Sequence, residues 1–117
     1  MNVDGATIDS APHDNHVIVT VTGEIDVFNA ARLMGLVEAA VPTEAHGAVL
    51  DLTAVGFLDS TAIRKLFALT ARLSERRQHV HVVTPEGSTV LRTLELVEFA
   101  RAAPMHDSLK EALEALG

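Results

Sequence analysis

Ser60 follows Asp59 where an apolar segment, Val55-Gly56-Phe57-Leu58, gives way to a helical pattern. A hydroxyl at such a junction has two chemistries open to it. It can cap the helix by accepting a hydrogen bond from a first-turn backbone N–H. It can also carry a phosphoryl group, which free N–H groups and the positive end of the helix dipole receive well. A phosphate there adds roughly −1.5 to −2 charge at neutral pH beside Asp59. A nucleophilic role lacks its frame, because Leu58-Asp59-Ser60-Thr61-Ala62 does not form the G-x-S-x-G elbow.

Other candidates carry less. His79 and His81 face the same side if they lie on a strand, so they offer two corners of a metal site. A third ligand would have to come from His106, His46, His16 or His13, none at a defined spacing. The plainer reading is a half-exposed pair on an edge, and no metal is expected. Glu24 and Asp26 follow a strand end and suit acid–base work, turn or cap duty, or contact with a partner equally well. The glycines never form G-x-G-x-x-G or a Walker loop, so no nucleotide cofactor is expected. Arg76-Arg77 closes a helix, where cations complement the dipole.

The elements that must hold these residues belong to one domain over 1–117, since 117 residues suffice for one modest core. Apolar residues make up 48% and charged residues 21%, which is the balance of a folded globular chain. With four Phe and no Trp or Tyr, the core must come from Val, Leu, Ile and Ala. The absence of Cys removes disulfides, thiolate catalysis and Cys-ligated metals. A formal net charge of −7 argues against nucleic acid and anionic membranes as partners. Met1-Asn2-Val3-Asp4 has neither the basic nor the apolar region of a secretory signal, and no apolar run reaches the ~20 residues of a bilayer span. A cytoplasmic protein is expected.

Local patterns predict the elements. Ala6–Ser10 reads as a short edge strand, 12–15 as a turn, and the β-branched run 17–22 as a strand. A helix capped by Asp26 or Asn29 runs to Val41, with Leu33, Leu36, Val37 and Ala40 on one face, and Pro42 closes it. Residues 48–52 read as a buried strand and 53–59 as a loop. The next helix, capped by Ser60 or Asp59, carries Ile63, Leu66, Phe67, Thr70 and Leu73. A strand at 80–83 precedes a helix that has Pro85 in its first turn. A short strand at 99–103 comes next, then a helix opened by a Ser108–Glu111 capping box. The alternation predicts an α/β fold: a mixed sheet of four to five strands, with parallel crossovers and about four helices.

Two segments then add a family. Val19-Thr20-Val21-Thr22-Gly23-Glu24-Ile25-Asp26 resembles a segment in which a strand runs into Gly-Glu-(Leu/Ile)-Asp. Val49 to Ile63 resembles a signature in which an apolar strand leads through an apolar pair to Asp-Ser-(Ser/Thr)-(Gly/Ala)-(Leu/Ile). In order and spacing the two resemble the STAS domain, and within it the bacterial anti-sigma-factor antagonists. The resemblance implies a binding module with no catalysis of its own. Unphosphorylated, such an antagonist binds an anti-sigma factor that is also a serine kinase, and this frees the sigma factor. Phosphorylation, here on Ser60 with Thr61 as the minor candidate, switches binding off. A metal-dependent serine phosphatase reverses it. Asp26, Asp59, Ser60 and Thr61 match the partner-binding positions. Ala62 stands where many members have Gly. Other STAS domains are constitutive scaffolds or transport-accessory modules, and for one of those Ser60 would be a helix cap alone.

Overall fold

The computed structural model describes residues 1–116. A hairpin opens the chain: β1 (Asn2–Val3), β2 (Ala6–His13) and β3 (His16–Ile25) pair antiparallel. Then α1 (Ala30–Ala40), β4 (Gly47–Leu58), α2 (Ser60–Glu75), β5 (His79–Val83), α3 (Thr89–Leu96), a 3-10 turn (Phe99–Arg101), β6 (Met105–His106) and α4 (Leu109–Ala115) follow. The sheet is mixed, ordered β1-β2-β3-β4-β5-β6, and β3 through β6 run parallel. It has six strands against the four to five expected, the extra one being the two-residue β1.

Alternation along the strands splits the interior into two layers. Val17, Val19 and Val21 of β3, with Leu50 and Leu52 of β4, join Leu33 and Val37 of α1 and Leu66 and Leu73 of α2 in the main core. Phe99 is fully buried there, its ring edge-on to Phe67 at 4.9 Å. On the other face, Val49 and Val83 meet Ala112 of α4, with Ile18, Leu109, Leu113 and Leu116 around them.

Several boundaries differ from the sequence reading. Residues 53–58, expected as a loop, continue β4, because β3 is long enough to pair with them: Gly23 lies opposite Val55, Glu24 opposite Phe57 and Ile25 opposite Leu58. The register shifts twice along this pairing, and that bulging hides the alternation that would mark a strand. β2 extends through Pro12 to His13, where β1 no longer pairs and the missing N–H of proline costs no ladder bond. Pro85 lies in a turn ahead of α3, and Ser88 caps that helix by accepting from the N–H of Leu91 at 3.1 Å. The strand expected at 99–103 is the 3-10 turn instead. Glu98 enters it with a left-handed φ of 56°, and the last strand forms at Met105–His106. The capping box on α4 is present: Ser108 Oγ accepts from Glu111 N at 3.1 Å. The Glu111 carboxylate reaches back to the N–H of Asp107 rather than to that of Ser108.

Candidate phosphoacceptor and docking surface

β3 and β4 end side by side, and the two following helices start from this shared end. The turn after β3 is organised by its own polar side chains. Asp26 accepts from the N–H of Phe28 at 2.9 Å, a local turn bond of the kind Asp favours. Asn29 holds the N-cap position of α1 yet makes no capping bond. Almost fully buried, it accepts from Asp26 N at 3.0 Å and donates to the carbonyls of Asp4 and Glu24. It thus fastens the turn to β3 and the first hairpin. Asp26 therefore shapes the turn, and neither candidate caps α1 through its side chain.

At the end of β4, Asp59 caps α2. Its backbone is extended (φ −89°, ψ −179°), as an N-cap requires, and Oδ1 accepts from Ala62 N at 2.8 Å. Its other oxygen, Oδ2, accepts from Val27 N at 2.8 Å. One carboxylate thus starts α2 and pins the β3–α1 turn against it. Ser60 is not the cap. It is the first residue of the helix, exposed, and among the described residues its hydroxyl has no hydrogen-bond partner. Thr61 is half-buried and accepts from Arg64 Nη2 at 3.2 Å. Ala62 is fully buried beneath them.

Three apolar side chains outside the expected contact set are exposed on these two segments. Phe28 is 84% exposed, Val27 60% and Phe57 45%. Val27 and Phe28 were legible in part. They sit inside a polar turn, outside either helix face, where an apolar side chain has no core to enter. Phe57 was hidden by the loop assignment of its segment. The expected contact residues Asp26, Asp59, Ser60 and Thr61 do come together, on the turn and helix start joined by the Asp59–Val27 bond.

The histidines lie elsewhere. His81 meets His106 with ring nitrogens 2.9 Å apart, and His16 meets His46 edge to face at 5.8 Å. Among the described residues no group of three His, Cys, Asp or Glu side chains converges as metal ligands. Nor, among them, is any helix long and apolar enough to cross a membrane.

The model of the STAS domain matches residues 7–112, nearly the whole chain. The chain belongs to the STAS domain family. This STAS domain is 31% identical to an anti-sigma factor antagonist from Mycobacterium paratuberculosis. The likeness covers 96% of this chain and 94% of that one, with a TM-score of 0.83. It is 27% identical over 110 residues to the anti-sigma-F factor antagonist RsfB of Mycobacterium tuberculosis, covering 94% of this chain and 88% of the relative. It also shares the fold of the Bacillus cell fate determinant SpoIIAA in its phosphorylated form. There the TM-score is 0.67 and identity 11%, with 95% of this chain and all of that one covered. The six-stranded mixed sheet with four helices is thus the STAS fold, as the two sequence segments implied.

Proposed function

We propose that this STAS domain is an anti-sigma factor antagonist that docks on a serine-kinase anti-sigma factor through the Ser60 surface and is released by phosphorylation of Ser60. The observation that carries this reading is the division of labour between Asp59 and Ser60. Asp59 does the capping, so the exposed Ser60 hydroxyl has no structural bond to lose. The capping by Asp59 speaks against reading Ser60 as a helix cap alone. The relatives named anti-sigma factor antagonists favour the same role.

The surroundings suit both states. Without phosphate, the exposed apolar side chains Val27, Phe28 and Phe57, on the segments that Asp59 joins to the start of α2, offer surface of the kind that forms the dry centre of an interface. The first turn of α2 can hold the added group where it forms. Ala62 N and Ile63 N are bonded to Asp59, which leaves the N–H groups of Ser60 and Thr61 without an acceptor among the described residues. The Arg64 guanidinium stands one turn away. The phosphate then places a dianion within the docking patch. Burying it against a partner costs desolvation and sets it beside the carboxylate of Asp59. A serine phosphatase would restore the docking form.

The test is incubation with ATP and a candidate serine-kinase anti-sigma factor from the same genome, read by intact mass and phosphopeptide analysis. One phosphate on Ser60, with loss of the complex, is the expected outcome. Stable binding to such a kinase with no modification would instead favour the constitutive scaffold.

A further inference from the structure

The sheet face opposite α1 and α2 is covered differently from the main core. α4 is seven residues long, and the cluster beneath it contains three buried side chains, Val49, Val83 and Ala112. Its seat is bordered by histidines. By strand alternation His16 shares this face with Ile18, and His79 and His81 share it with Val83, whose register partner on β6 is His106. His13, His16 and His46 line a cleft whose other wall is Leu113 of α4 and Leu116 just beyond it. All six histidines of the chain therefore lie on or beside the sheet face that α4 covers.

The His81–His106 contact sets a limit on charge. The rings lie nearly parallel, 17° apart, with Nδ1 of His81 2.9 Å from Nε2 of His106. A hydrogen bond at that distance needs one nitrogen bearing a proton and one without. The pair can hold at most one extra proton. A second sets two N–H groups and two positive charges against each other, and the contact must open.

We propose that this cluster makes the docking of α4 conditional on pH, with the helix seated while the histidines are neutral and released when His81 and His106 are both protonated. Release uncovers the apolar strip of Ile18, Val49 and Val83. Burial first, and then the neighbouring His106, His16 and His79, hold the His81 pKa below 6.5. Burial, then His46, His79 and His13, lower that of His16, and Asp14 alone opposes them. The remaining charged groups on and beside α4 are Asp107, Lys110, Glu111 and Glu114, together with Asp51 of β4, which shares the face by alternation with Val49 and accepts from Thr53 N. Of these Glu111 is engaged with the N–H of Asp107. A group whose pKa is lowered in the docked state binds its proton more weakly there than after release. Docking is thus intact above 6.5 and weakens as pH falls below it.

Amide hydrogen exchange at pH about 7.5 and about 5.5, corrected for intrinsic rates, tests this on the intact chain. Below 6.5, His81 binds its proton more strongly once released, which favours the open state. Protection of residues 109–115 should fall from the higher to the lower pH while α2 stays protected. In a His81→Gln/His106→Gln variant the fall should be lost or clearly smaller. Unchanged α4 protection in the parent chain would overturn the proposal. So would an equal fall in the variant, or loss shared by α2. Should the variant fail to seat α4, an NMR titration of the parent chain decides. The His81 ring signal and the α4 amides should move together with a midpoint below 6.5, and a His81 titration with no movement of the α4 amides would refute the coupling.

Discussion

Asp59 Oδ2 accepts a hydrogen bond from the backbone N–H of Val27 at 2.8 Å, across 32 residues of sequence. The same carboxylate caps α2 through Ala62 N. The exposed Phe28 side chain and the exposed Ser60 hydroxyl therefore lie on two segments tied to one side chain.

Asp59→Ala removes both bonds at once and is expected to cost about 1–2 kcal/mol, the usual cost of a lost N-cap. Asp59→Asn keeps one acceptor oxygen, caps well in general, and should cost about half as much. Urea denaturation of the three proteins checks the order. Equal stability of Asp59→Ala and the parent would mean that the carboxylate does not hold this junction.

Ser60→Ala should leave the unfolding midpoint within about 0.5 kcal/mol of the parent, because the hydroxyl caps nothing. It should retain partner binding and take no phosphate at that position. Ser60→Glu should weaken binding by about tenfold or more, which is about 1.4 kcal/mol, through a charge buried in the patch. Calorimetric titration against the kinase reads both variants. Full affinity in Ser60→Glu would count against the electrostatic switch.

Phe28→Ser separates folding from docking. At 84% exposure Phe28 contributes little to the core, so stability should hold within about 0.5 kcal/mol. If the patch is the centre of the interface, affinity should drop by about 2 kcal/mol. An unchanged dissociation constant would move the interface away from this turn.

Two glycines should respond in opposite directions. Gly35 lies inside α1, and a Cβ there meets nothing within 4 Å. Gly35→Ala should therefore stabilise by about 0.5–1 kcal/mol through helix propensity. At Gly47 a Cβ would collide with the backbone carbonyl of His79 on the neighbouring strand. Gly47→Ala has to push β4 and β5 apart and should cost at least about 2 kcal/mol. Thermal unfolding of both variants settles the signs.

Much of this molecule is legible from local pattern. The β-branched run 17–22 and the apolar run 48–52 became the central strands. Leu66, Thr70 and Leu73 are buried where the helical period placed them. The Gly-Glu-Ile-Asp and Asp-Ser-Thr-Ala segments carry the likeness to the family. Such signals rest on spacing within one element, and the sequence displays that spacing directly.

The tertiary structure decided what depends on residues far apart in the chain. Asp59 and Ser60 are both good caps by type, and the choice fell to the residue whose second oxygen could reach Val27. Residues 53–58 are a strand because β3 runs alongside, and their own bulged pattern does not announce it. His81 and His106 are 25 residues apart, and the parallel pairing of β5 with β6 brings their rings together. Local propensity is set by each residue and its near neighbours. Caps, edges and side-chain pairs are set by which partner the fold brings within hydrogen-bond reach, and that is a property of the packed chain.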